Sequence, residues 1–208
     1  MKKVEKNITE LVFILDRSGS MSGLEADTIG GFNAMIKEQK KGKNEVLVTT
    51  VLFDDKYEIL NQREPIRVVK PVTDKEYFPR GSTALLDAVG KTINNLGNTK
   101  NKVLFVITTD GMENSSCEYN YAAIKKLITT KQKQNKWEFI FLGANIDAVE
   151  TASFMGIGQD RAQNYRADSK GVSKNYEALS KAIINFSEKE TLSDDWNAAI
   201  KEDFTSRS

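Results

Sequence analysis

Thr9-Glu10-Leu11-Val12-Phe13-Ile14-Leu15-Asp16-Arg17-Ser18-Gly19-Ser20-Met21 is the stretch that decides the fold of this chain. Its first seven residues are apolar for five in a row and rich in β-branched and aromatic types, but too short for a helix. They predict a buried strand that ends at Asp16. The period then changes: Leu24, Ile29, Phe32, Met35 and Ile36 recur near helical spacing over residues 24–40, and Gly42 stops the run. A buried strand feeding directly into a helix is the first half of a parallel strand-helix-strand unit.

The same rhythm continues outward. Residues 46–53 (VLVTTVLF) predict a second strand, and Asp54-Asp55 a tight hairpin into an antiparallel edge strand over 56–60. A turn-rich stretch, 61–82, holds all three prolines and leads to an amphipathic helix over 83–96 that closes at Gly97. Strands are expected at 102–109 and 137–142, helices at 119–133, 147–155 and 172–186, and a short last strand at 164–167. In the tail, Leu192, Trp196, Ala199 and Ile200 share one face of a predicted helix that should dock on the rest. The expected class is α/β: a mostly parallel sheet between two helical layers, with one antiparallel edge strand. No repeat or low-complexity linker divides the chain, so one domain is expected over 1–208, with its core at about 8–186 and a helical tail at 187–208.

Composition narrows the chemistry. The 208 residues include 30 basic and 29 acidic side chains, one cysteine and no histidine. A chain of this length buries about 70% of its unfolded surface and needs no disulfide or metal merely to fold. Without histidine there is no Ser-His-Asp or Cys-His catalysis and no His-ligated zinc. Cys117 alone makes neither an intramolecular disulfide nor a thiolate cluster. Chemistry must therefore rest on carboxylates, hydroxyls, basic side chains or a hard metal held by oxygen. A net charge of +1 gives no electrostatic case for nucleic acid or a membrane surface, and no apolar run approaches the ~20 residues of a membrane span. Met1-Lys2-Lys3 imitates the basic start of a signal peptide, but Glu5, Lys6 and Glu10 stand where its apolar stretch should be. The reading is cytoplasmic, with a thiol suited to a reducing compartment.

In open sheets of this kind, ligands sit beyond the carboxyl ends of the strands, where strand order reverses. Two aspartates stand at such ends: Asp16 after the first strand and Asp110 in Thr109-Asp110-Gly111 after the fourth. Asp16, Ser18 and Ser20 alternate, so an extended loop would project three oxygens to one side. Oxygen donors with two carboxylates select a hard cation such as Mg²⁺, Mn²⁺ or Ca²⁺. The competing reading makes Asp16, Ser18 and Ser20 ordinary turn and helix-capping residues.

A third segment, Gly81-Ser82-Thr83-Ala84-Leu85, opens a helix between the other two. The three motifs, in this order and at these element boundaries, resemble the metal-ion-dependent adhesion site of the von Willebrand factor type A domain family, over roughly residues 8–186. The resemblance implies that Ser18, Ser20 and Thr83 offer hydroxyls to a divalent cation, Mg²⁺ foremost, while Asp16 and Asp110 bind it directly or through water. It implies a doubly wound, Rossmann-like sheet of six strands in the order 3-2-1-4-5-6. It also implies a protein partner whose carboxylate completes the metal shell. The chain's size and its lack of a signal or anchor suggest a small intracellular member of bacterial or phage type, and the missing histidine argues against an enzyme.

Other residues are read more plainly. Arg17 is expected on the surface, Asp54 and Asp55 as hairpin turn residues, Glu113 and Asn114 as loop caps, and Asn145 and Asp147 as helix caps. Gly156 and Gly158 begin a dinucleotide-binding pattern, but Arg161 stands where the third glycine belongs, so that reading is discarded. The lysine-rich 37–43 is a solvated helix end, and Cys117 an inert thiol. From another class comes a Mg²⁺-dependent phosphohydrolase using the strand-end aspartates. It lacks a second aspartate at Ser18 and a lysine at Gly143-Ala144, where known phosphoryl-transfer families of similar architecture carry one. A scaffold whose metal is purely structural is the third possibility.

Overall fold

Along the first strand, side chains alternate between two apolar cores, and that alternation makes the layers. Leu11, Phe13 and Leu15 belong to one core, Val12 and Ile14 to the other. The computed structural model describes residues 8–189 and 191–207, so the basic start at Met1–Lys3 lies outside the described residues. The strands are β1 (Thr9–Asp16), β2 (Val46–Phe53), β3 (Tyr57–Pro65), β4 (Lys102–Thr109), β5 (Glu138–Gly143) and β6 (Ala162–Asn164). They form one sheet in the order β3-β2-β1-β4-β5-β6, parallel except for the β2–β3 pair. Helices α1 (Glu25–Gln39) and α5 (Ser169–Lys189) cover one face; α2 (Leu85–Leu96), α3 (Tyr121–Asn135) and α4 (Ala148–Phe154) cover the other. This is the predicted three-layer architecture and strand order.

The departures from expectation have physical causes. The edge strand runs on to Pro65, because Asn61-Gln62-Arg63-Glu64 is polar on both faces and hides its strand character from hydrophobic patterning. It bends there through irregular pairing with β2, where Arg63 takes φ 51°. The Arg63 guanidinium donates to Glu10 Oε1 at 2.6 Å, and its amide donates to Thr49 Oγ1 at 3.1 Å, fixing the bend to the sheet. The last strand lies at 162–164, with only Asn164 shared with the predicted segment; the Tyr165 amide still bonds Gly143 O at 2.9 Å, but its side chain turns inward and is buried. Helix α2 starts at Leu85, which leaves Thr83 in a loop.

The tail packs as expected, with one exception. Leu192, Trp196 and Ile200 are buried in the α1/α5-side core, but Ala199 is exposed. The helix α6 spans only Ala198–Ser206, so the four positions never share one helical face. Trp196 also donates its indole N–H to Asp160 O at 2.8 Å, anchoring the segment beside β6. Among the described residues no helix is long and apolar enough to cross a membrane. Trp196→Ala removes a buried indole and its hydrogen bond, and should cost about 3 kcal/mol in urea unfolding. A loss below ~1 kcal/mol would mean that the tail only rests on the surface.

Candidate metal centre

β1 is the switch point of the sheet: the chain leaves it for β2 on one side and later returns as β4 on the other. The parallel register sets Leu15 opposite Thr108, so Asp16 ends β1 beside Thr109 and just short of Asp110. The Thr109 hydroxyl donates to Asp16 Oδ2 at 2.5 Å, and the Ser18 amide donates to Asp16 Oδ1 at 2.6 Å. Both carboxylate oxygens are thereby used to join the loop after β1 to the end of β4.

The remaining donors gather above this pair. Ser20 Oγ donates to Asp110 Oδ1 at 2.5 Å and lies 3.0 Å from Ser18 Oγ. Thr83 is brought in by the neighbouring loops. The Gly19 amide donates to Gly81 O, the Thr83 amide to Asn114 Oδ1, and the Asn114 amide to Thr83 O, at 2.9–3.2 Å. Gly111 shows where the hydroxyls point: a Cβ there would sit 3.0 Å from Ser20 Oγ, 3.1 Å from Thr83 Oγ1 and 3.9 Å from Ser18 Oγ. A side chain would fill that small cradle, and glycine leaves it open. Ser20 is the exposed member of the set, while Asp16, Ser18, Thr83 and Asp110 are buried.

Loop capping holds the β4 side. The N-terminus of α2 has no capping side chain of its own, and residues of the 111–119 loop supply the partners. Glu113 accepts from the Leu86, Ser115 and Ser116 amides, and Asp87 accepts from the amides of Cys117, Glu118 and Tyr119. Glu113 and Asn114 are thus the loop-fixing residues that the sequence suggested. Asp147 caps α4 by accepting from the Glu150 amide at 2.9 Å, also as expected. Asn145 takes φ 55° in the turn before it.

Two readings are corrected. Arg17 is not on the surface but 1% exposed, and Asp54 is not a simple turn residue but fully buried beneath it, with their side chains bonded at 2.9 Å. Sequence reasoning also missed Tyr77, a buried side chain whose hydroxyl donates to Asp16 O at 2.6 Å from the proline-rich segment. A signal was present: an aromatic pair, Tyr77-Phe78, inside a turn-rich region.

Burial sets the electrostatics. It pushes the Asp16 carboxyl up from 3.8 to about 6, against the hydrogen bonds of Thr109 and Ser18, and the Asp110 charge adds to the rise. Asp110 is raised as well, first by burial, with Ser20 opposing. Asp110 Oδ2 is buried with no hydrogen-bond partner. Among the described residues no three His, Cys, Asp or Glu side chains cluster as a metal site. Here the donor set is two carboxylates with three hydroxyls, all hard oxygen, and one carboxylate oxygen wants a partner. That set fits a divalent cation of the Mg²⁺, Mn²⁺ or Ca²⁺ type.

Comparison with known proteins adds the fold. No family model and no curated protein matches the chain. Solved structures do. Proximal thread matrix protein 1 from the mussel byssus superposes with TM-score 0.61 at 14% identity over 84% of this chain, which spans 46% of that protein. Another structure of that protein has a zinc-occupied MIDAS motif. The von Willebrand factor domain of the type V pilus tip protein Mfa5 from Porphyromonas gingivalis gives TM-score 0.64 at 10% identity, covering 91% of this chain and 99% of that one. VWA2 from Sulfolobus acidocaldarius gives 0.55 at 17% identity, covering 85% and 45%.

The raised Asp16 has a measurable sign. Between about pH 4 and 6 the folded protein holds a proton that the unfolded chain has released, so stability falls as pH rises through that window. With chelator present, wild type should lose on the order of 2–3 kcal/mol relative to Asp16→Asn between pH 4 and 7, measured by urea unfolding at each pH. Parallel profiles for the two proteins would refute the assignment. At the identities found among the solved structures, the likeness establishes one thing, that this chain has the von Willebrand factor A fold.

Proposed function

We propose that this chain is a divalent-cation-dependent protein-interaction module, with Asp16, Ser18, Ser20, Thr83 and Asp110 as its metal-binding residues. The single observation that carries the reading is the convergence of three hydroxyls beside Gly111 with the unpartnered, buried Asp110 Oδ2. Ser18, Ser20, Thr83 and Asp110 supply the inner oxygens. Asp16, with both oxygens already bonded, acts through water and keeps the loop in place. Bound there, a cation supplies concentrated positive charge at the exposed Ser20 side of the site. Neutral hydroxyls offset little of that charge, so a carboxylate from a protein partner is attracted to complete the shell. The solved structures of similar fold include a pilus-tip domain and a byssal matrix protein, and their nature supports a binding role.

Mg²⁺ is the proposed physiological ion, with Mn²⁺ and Ca²⁺ as alternatives. A cytoplasmic setting belongs to this proposal too, supported by one exposed, free thiol that suits a reducing compartment. The phosphohydrolase reading has less support: Asp16 is buried with a hydrogen bond on each carboxylate oxygen, and among the described residues no lysine or arginine pairs with Asp16 or Asp110. Calorimetric titration should show Mg²⁺ and Mn²⁺ binding by wild type and a loss of at least tenfold for Asp110→Ala. A partner captured from lysate with Mg²⁺ should disappear with chelator. Equal cation binding by both proteins would sink the site, and phosphatase turnover abolished by Asp110→Ala would replace the binding role with an enzymatic one.

A further inference from the structure

Between two of the donor residues, Asp16 and Ser18, stands an arginine that points away from them and into the protein. Arg17 Nε donates to Asp54 Oδ2 at 2.9 Å, Nη1 donates to Glu76 O at 3.0 Å, and Nη2 lies 2.7 Å from Glu58 Oε2 as a close ion pair. Arg80 approaches the same carboxylate, with Nε 2.8 Å from Asp54 Oδ2. Two arginines thus face two carboxylates, Asp54 and Glu58, and the two buried members, Arg17 and Asp54, form a matched pair.

The backbone makes this cluster a bridge between donor loops. Arg17 N–H bonds Phe53 O at 2.8 Å, and Arg17 O accepts from the Arg80 amide at 2.9 Å. Asp54 O accepts from the Ala84 amide at 2.9 Å, one residue beyond Thr83. Asp54 therefore holds the residue between Asp16 and Ser18 with its side chain, and the residue after Thr83 with its main chain. Its Oδ1 is itself fixed by the Lys56 amide at 2.6 Å. A rigid hairpin tip reaches both loops at once, and Arg17 could not be replaced by lysine without losing the planar fork that spans three partners.

We propose that Arg17 and Asp54 form a buried clamp that sets the spacing of Ser18 and Ser20 against Thr83, making them positioning residues for the cation although neither touches it. This deepens the metal-site reading and rests on it. A variant that only weakened the fold would mimic some effects, so the control is a comparable ion pair at the other end of β1. There Arg63 pairs with the buried Glu10, remote in register from every donor.

The test uses the full chain as wild type, Arg17→Met, Arg17→Lys and Arg63→Met, each confirmed folded by circular dichroism. The probes are Mn²⁺ titration and amide hydrogen exchange without metal. Arg17→Met should weaken Mn²⁺ binding at least tenfold and speed exchange of the Ser18, Arg80 and Ala84 amides together; Arg17→Lys should fall between. Arg63→Met should lower the melting temperature and leave Mn²⁺ affinity and those three amides unchanged. Arg17→Met binding Mn²⁺ within twofold of wild type, or no worse than Arg63→Met, overturns the clamp. Should Arg17→Met not fold, the same comparison with Arg17→Lys decides. Should wild type take up no Mn²⁺, the cation reading fails on its own, and the exchange data judge the clamp: joint loosening of the three amides supports it, and unchanged protection overturns it.

Discussion

The carboxylate of Asp16 is the point on which the crevice depends. It ends β1, is 1% exposed, and divides its two oxygens between the loop after it and the strand beside it. Losing either bond would release either the Ser18 amide or the Thr109 hydroxyl, and with it the relation between the β1 and β4 ends. Tyr77 holds the same residue from the main-chain side. The site's geometry is thus built on parallel pairing first, then on one buried acid, and only then on the loops. Such an acid is expensive, because burial disfavours its charge and hydrogen bonds only partly offset that cost.

Much of this was legible in the sequence because the sheet is buried on both faces. Strands β1 and β4 each hold an unbroken run of five apolar residues, and β2 is apolar but for Thr49 and Thr50, so their places follow from those runs. Short segments with no apolar pattern were harder. β3 is an edge strand with polar residues on both faces after Leu60, and β6 has three residues whose pairing is set by β5 rather than by their own pattern. Asp16 and Asp110 stood out as strand-end carboxylates with Ser18 and Ser20 alternating after the first, while Thr83 joined them only through the resemblance of the three motifs to the von Willebrand factor A site. The structure brings them into one crevice. Arg17 and Asp54 could not be read in this way. A charged residue is buried only when a partner distant in sequence meets it, and 37 positions separate these two.

The two charged clusters at this end of the sheet differ in a way that bears on what the crevice binds. Around Asp54 the charges cancel, two guanidiniums against two carboxylates, and burial still leaves Asp54 below the ordinary carboxylate range because Arg80, the Lys56 amide and Arg17 outweigh it. Around Asp110 they do not cancel. Among the described residues neither Asp16 nor Asp110 is paired with a lysine or arginine, and burial raises both. Lysines and arginines are plentiful in the chain, and one of them, Arg17, stands next to Asp16 in sequence yet is turned towards Asp54. With Arg17 turned to the far side of the loop, the two carboxylates keep only hydroxyl and amide partners among the described residues, and a site of that kind lacks the positive charge that a hard cation would supply.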